Sequence, residues 1–232
     1  MPLNLPNVLT LFRIFLVPLL VVVLLAPPWA AAKIQDWLGL TGFVAWLKQW
    51  REVVAVAIFL TAAATDWLDG YIARSRNQIT DMGKLLDPLA DKLLLAATFV
   101  PFYLISHGGT EEGLLPWWGP LPLWVVLVIF GRELLITVFR SVAVRRGVVI
   151  AAGTTGKRKA LMQSLFSGGL LLWYPLNITV EARGWDAFAA MRMWITFHGA
   201  WVAITLGLAL VLTVYSMIDY LWRYRSVLGF RN

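Results

Sequence analysis

Cysteine is absent from this 232-residue chain, which excludes disulfides and thiolate metal sites and leaves the redox compartment open. Charge is scarce: 14% of residues are charged, where a soluble domain carries about a quarter. Histidine occurs only at His107 and His198, both read as interfacial at the non-cytoplasmic ends of apolar spans, so no Ser–His or Cys–His nucleophile is on offer. Apolar residues fill the chain instead, 59% of it, with a mean hydropathy of +0.72. Runs long enough to cross about 30 Å of hydrocarbon recur without water-facing stripes between them, so the expected solvent is a bilayer. The net charge of +7 is not a nucleic-acid signal, because the basic residues sit at the ends of apolar runs, where they meet anionic headgroups.

Six spans are predicted, at about Val8–Ala26, Val53–Ala73, Lys84–Ile105, Leu121–Val144, Ala160–Leu176 and Ile195–Trp222. The first holds Arg13 and Pro18 and lacks a small-residue cleavage site, which predicts a retained helix rather than a signal peptide. Between the first two spans, an insert at 27–52 carries Trp29, Trp37, Trp46 and Trp50 and is expected to form interfacial helices. No repeat or low-complexity tract divides residues 1–232, so one membrane-embedded domain is expected. Basic residues concentrate after the second and fourth spans and at the C-terminus. By the positive-inside rule, both termini and those connections face the cytoplasm.

Of thirteen acidic residues, five fall between Asp66 and Asp91. A carboxylate at membrane depth is costly and faces a cavity or a partner. At 100° per residue, Asp66 and Asp69 lie within about 60° of each other on one helix face. Asp87 and Asp91 follow at a four-residue spacing after Gly83, again on a single face. If the two helices pack antiparallel, the four carboxylates converge at the cytoplasmic end of the bundle. Such a cluster repels itself unless cations neutralise it. All-oxygen ligands select hard ions such as Mg2+ or Mn2+ over Zn2+, and two such ions about 4 Å apart form the usual clamp for displacement at phosphorus. Gly70 and Ala73 leave room for a flat group beside the carboxylates, and Arg74 is placed to meet a phosphate.

Asp66-x2-Asp69-Gly70-x2-Ala73-Arg74-x8-Gly83-x3-Asp87-x3-Asp91 resembles the complete signature of the CDP-alcohol phosphotransferases, with eight residues at fixed spacing. The resemblance implies an all-α integral membrane fold of six transmembrane helices, usually a homodimer, with its site open to the cytoplasm. It implies that Asp66, Asp69 and Asp87 bind two divalent cations and that Asp91 bridges to a metal and serves as the base. It also implies that Asp69, Gly70, Ala73, Arg74 and Gly83 hold the CDP moiety. No covalent intermediate is expected: an alcohol oxygen attacks the β-phosphorus of CDP-diacylglycerol and CMP leaves.

The acceptor is read from the other cytoplasmic charges. Arg132 interrupts the fourth span beside Glu133, Arg140 lies eight residues on, and Lys157 and Lys159 lead into the fifth span. With Thr10 and Arg13 of the first span, these six residues are expected to line a basic pocket for a phosphorylated acceptor. The segments NLPNVLTLFRIFLVPLL, GRELLITVFR and TGKRKALMQ are similar to those of bacterial phosphatidylglycerophosphate synthases. That resemblance implies sn-glycerol 3-phosphate as acceptor and the bacterial inner membrane as location. The alternatives are a cardiolipin synthase using phosphatidylglycerol, an inositol-phosphate acceptor and, from another class, an ion- or proton-coupled transporter. Transport predicts carboxylates near the midplane and broken helices in both halves, whereas all four aspartates gather at one end with no inverted second copy.

Overall fold

The structure, a computed structural model, describes residues 4–25, 41–76, 80–108, 115, 119–146 and 154–225. Six α-helices dominate these residues: α1 Leu5–Leu25, α2 Thr41–Ser75, α3 Asp81–Ser106, α4 Leu123–Arg145, α5 Thr154–Arg183 and α6 Ala189–Arg223. Each follows from a long, largely apolar run, and two of the ends carry recognisable signals. Thr80 caps α3, its Oγ1 accepting from the Gly83 N–H at 3.0 Å. Gly184, at φ 62°, takes the left-handed conformation just past α5, which a side chain disfavours, and a short 3-10 turn at Trp185–Ala187 leads into α6.

Leu5–Leu25, Trp50–Ala73, Leu86–Ser106 and Ala189–Arg223 are long and apolar enough to cross a membrane, so the chain is a multi-pass membrane protein. The remaining two of the six expected spans correspond to α4 and α5, which carry polar residues mid-helix: Arg132, Glu133 and Arg140 in α4, and Gln163, Ser164 and Ser167 in α5. The insert expected at 27–52 divides. Residues 26–40 lie outside the described ones, while from Thr41 the chain belongs to α2, continuous through Ser75. At 1.5 Å per residue its 35 residues extend about 52 Å. That exceeds the hydrocarbon thickness, so the second span and the end of the insert share one helix instead of meeting at a bend.

The exterior is apolar: Phe15 is 68% exposed, Leu134 67% and Val211 64%. Water would not tolerate a surface so broadly apolar, whereas lipid does. Inside, α1 packs on α2 and α3, and α5 packs on α6 and α2. Leu20, Phe99, Ile129, Phe166 and Leu206 are buried in the main core, and Ile136, Phe139, Ala143 and Tyr220 form a smaller one between α4 and α6.

Close approach and interhelical hydrogen bonds do the work that the hydrophobic effect cannot do in lipid. A Cβ on Gly169 would lie 3.0 Å from Trp201 Cδ1, and one on Gly168 would lie 3.2 Å from Phe59 Cε1. Thr98 and Ser167 share a 3.1 Å hydroxyl contact between α3 and α5, and Gln163 donates to Thr213 between α5 and α6. His198 is buried instead of interfacial, its Nε2 lying 2.9 Å from the Gly169 carbonyl and its ring edge-on to Trp173. The missing side chain at Gly169 exposes that carbonyl to it. His107, by contrast, stays exposed at the end of α3 against Tyr103.

Candidate active site

Thr10 and Arg13 stand one turn apart on α1 and are both fully buried, against α2 and α3. Asp66 and Asp69 come from α2, Asp87 and Asp91 from α3. The docking of α1 at this end is fixed by Asn7, which is buried and accepts a 2.9 Å hydrogen bond from the Thr80 hydroxyl. Gly83 makes that contact possible, since a Cβ there would lie 3.1 Å from Asn7 Oδ1. The α3 N-cap, the absent side chain at Gly83 and the α1 asparagine together seat α1 over the carboxylates.

The Arg13 guanidinium then meets three of them. Nη1 pairs with Asp66 Oδ1 and lies 3.1 Å from Asp91 Oδ1, and Nη2 pairs with Asp69 Oδ2. Thr10 Oγ1 lies 3.2 Å from Asp69 Oδ2 and 3.1 Å from Asp87 Oδ1. One hydroxyl proton serves only one acceptor at a time, so the oxygens around Thr10 are richer in lone pairs than in protons. Four carboxylates against one guanidinium also leave three formal negative charges in one place. Both imbalances call for further cations.

Burial within the cluster is uneven. The Asp69 side chain is 6% exposed, Asp66 50% and Asp91 61%. Asp69 is thus the inner member and the others face outward. Among the described residues no three acidic or histidine side chains surround a single point as metal ligands. The carboxylates are drawn around Arg13 instead. The donor set is nonetheless all oxygen, carboxylate plus hydroxyl, which suits hard divalent ions. The residues able to hold them are Asp66, Asp69, Asp87 and Asp91.

A cavity of about 330 Å³ opens beside the cluster. Asp66 and Asp91 line it from α2 and α3, with Lys92, Glu133, Lys159 and Gln163 among its other walls. Glu133 on α4 accepts from Lys159 on α5 and from Arg132 Nη1 at 3.3 Å. Arg132 reaches across to Ser216 Oγ on α6 at 3.2 Å, while its Nε is buried without a hydrogen-bond partner.

The six residues read from the sequence as one basic pocket are therefore divided. Thr10 and Arg13 join the aspartates, whereas Arg132 and Lys159 meet at Glu133. Arg140 packs elsewhere, its Nε donating to the Tyr220 hydroxyl at 3.2 Å. The side chains of Lys157 and Arg74 lie outside the described residues. Gly70 and Ala73 are half-buried on α2 beside Asp69. Sequence reasoning missed Asn7 and Lys92. Asn7 bears no signal beyond polarity in an apolar run, whereas Lys92 was findable as an ammonium next to Asp91 in a membrane helix.

The protein-family model for CDP-alcohol phosphatidyltransferase matches residues 3–215. A Bacillus subtilis (strain 168) protein named CDP-diacylglycerol--glycerol-3-phosphate 3-phosphatidyltransferase is 35% identical over 199 residues, 83% of this chain and 86% of its own. Proteins of the same name from Salmonella choleraesuis (strain SC-B67) and Escherichia coli (strain K12) are 34% and 33% identical. The first covers 95% of this chain and 94% of its own, the second 97% of each. The matched region takes in every helix that supplies a carboxylate, the cavity beside them and the basic residues across it, and the chain belongs to the CDP-alcohol phosphatidyltransferase family.

Proposed function

We propose that this chain transfers a phosphatidyl group from CDP-diacylglycerol to sn-glycerol 3-phosphate, forming phosphatidylglycerophosphate and releasing CMP. The observation that carries the reading is the convergence of Asp66, Asp69 and Asp91 from two helices on the Arg13 guanidinium, beside a cavity that Lys92 and Lys159 also line. The relatives' name supplies the acceptor.

Phosphoryl transfer asks a protein for positioning and charge neutralisation more than for covalent chemistry. Asp66, Asp69, Asp87 and Asp91 would hold two divalent cations, Mg2+ or Mn2+, whose charge would supply that neutralisation. Asp91 faces the cavity and accepts the proton of the acceptor hydroxyl as its oxygen bonds to the β-phosphorus. The bond from that phosphorus to the bridging oxygen breaks, and CMP departs with the oxygen. Thr10 Oγ1 lies within hydrogen-bond distance of both Asp69 and Asp87 and donates to one at a time, and Gly70, Ala73 and Arg74 follow Asp69 along the stretch of α2 that would hold the CDP moiety. Lys159 lines the far wall of the cavity and offers positive charge to the acceptor phosphate, while Arg132 pairs with Glu133.

In this reading all six helices cross the bacterial inner membrane, with both termini and the site on the cytoplasmic side and a homodimer as the assembled form. Purified protein in mixed micelles with CDP-diacylglycerol should release CMP with glycerol 3-phosphate and yield phosphatidylglycerophosphate. CMP release with phosphatidylglycerol or an inositol phosphate, and none with glycerol 3-phosphate, would overturn the acceptor assignment.

A further inference from the structure

We infer that Lys92 is a binding residue for the acceptor's phosphate, working with Lys159 across the cavity; the inference rests on the phosphatidyl-transfer reading above. Lys92 follows Asp91 on α3 and is half-buried, and both residues line the same cavity. Its ammonium donates to Thr137 Oγ1 on α4 at 2.6 Å, and the Thr137 hydroxyl in turn donates to the Glu133 carbonyl at 2.6 Å. An ammonium has three protons and Thr137 takes one, so the group is anchored while still able to bind an anion. Lys159 is similarly held: it is buried, and Glu133 accepts from it.

Two ammonium groups, Lys92 and Lys159, line the cavity, and a phosphomonoester, which carries about −1.5 to −2 near neutral pH, has the charge and oxygens to pair with both. Geometry adds the second argument. Asp91 and Lys92 line the same cavity, so a phosphate held at Lys92 keeps a short polyol's hydroxyl near Asp91. A cavity of about 330 Å³ suits a small polyol phosphate better than a two-chain lipid acceptor. Glu133 holds the Lys159 ammonium in place and prevents the uncompensated cations from repelling one another before the acceptor enters.

The bland alternative is that Lys92 only ties α3 to α4 through Thr137. Lys92→Gln separates the two, because an amide still donates to Thr137 but carries no charge; Lys92→Arg keeps the charge. With full-length reconstituted protein, Lys92→Gln should raise KM for glycerol 3-phosphate roughly 10- to 100-fold, the worth of a charge-assisted hydrogen bond. KM for CDP-diacylglycerol should stay within about 2-fold, and Lys92→Arg should recover most of the loss. Unphosphorylated glycerol, supplied as a forced acceptor, should not distinguish Lys92→Gln from the unsubstituted protein. An unchanged KM for glycerol 3-phosphate overturns the inference, as does an equal rise in KM for CDP-diacylglycerol, which would place Lys92 at the diphosphate. A folding defect shared by the Gln and Arg variants, read by thermal unfolding, would mark Lys92 as a structural tie. An unsubstituted protein that is inert with glycerol 3-phosphate yet active on another acceptor would remove the underlying reading instead.

Discussion

Arg13 Nη1 on α1 lies 3.1 Å from Asp91 Oδ1 on α3, and the same fully buried guanidinium pairs with Asp66 and Asp69 on α2. Three helices are thereby joined through one side chain. The clustered acids would drive α2 and α3 apart, and α1 contributes the cation that opposes this.

Removing that cation should be costly. Arg13→Gln leaves Asp69 buried and uncompensated, a class of change that destabilises by about 3–5 kcal/mol. Thermal unfolding in detergent with chelator should show a marked fall in Tm, and millimolar Mg2+ or Mn2+ should raise the Tm of Arg13→Gln more than that of the unsubstituted protein. An unchanged Tm under chelation would mean the carboxylates do not depend on Arg13.

Thr10 is a subtler case. Its hydroxyl lies between Asp69 and Asp87, so Thr10→Val should cost about 1 kcal/mol of stability, the net worth of one hydrogen bond. Because the carboxylate that accepts from Thr10 loses the donor that aligns it, kcat/KM should fall about 10-fold, the equivalent of roughly 1.4 kcal/mol. Thr10→Ser, which keeps the oxygen, should stay close to the parent in both assays. Equal losses for Val and Ser would trace the effect to packing against α2.

Asp91→Asn keeps the shape and the contact with the cavity but cannot take a proton. Loss of a general base removes about 10²- to 10⁴-fold in rate. CMP release should fall by that much, while equilibrium binding of CDP-diacylglycerol changes little. Turnover near the parent value would disqualify Asp91 as the base.

Away from the site, Gly169 tests the packing of α5 on α6. A Cβ there meets Trp201 at 3.0 Å and Nε1 at 3.2 Å, and a rigid indole cannot yield without shifting. Gly169→Ala should cost about 1–3 kcal/mol, as overpacked cores do. Tm should drop while KM for either substrate holds. A variant as stable as the parent would show that the indole has room to move.

How far these features could be read in advance depends on their range along the chain. The Asp66–Asp69 and Asp87–Asp91 faces were legible because helical periodicity is a property of neighbours, and acids in an apolar run are conspicuous. The helices themselves were legible for the same reason: each expected span overlaps one of the six α-helices among the described residues, and four of these are long and apolar enough to cross a membrane. The partnership of Glu133 with Lys159 was not, because it joins residues 26 apart on different helices. Nor was the burial of His198, which depends on the absent side chain at Gly169 and on Trp173 beside it. Gly83 shows the converse: the motif marked it as a ligand-site glycine, and the structure places it where Asn7 closes on Thr80.

By itself, then, the sequence determined the bilayer as solvent and the four aspartates as one acidic face on two successive helices. Both follow from composition and from a 3.6-residue period that needs no tertiary knowledge. Only the tertiary structure decided which basic residues serve that face. Thr10 and Arg13 went to the carboxylates, Arg132 and Lys159 went to Glu133, and the unforeseen Lys92 went to Thr137. The reason is physical: a long cationic side chain follows the nearest buried acid, and which acid is nearest depends on how helices dock.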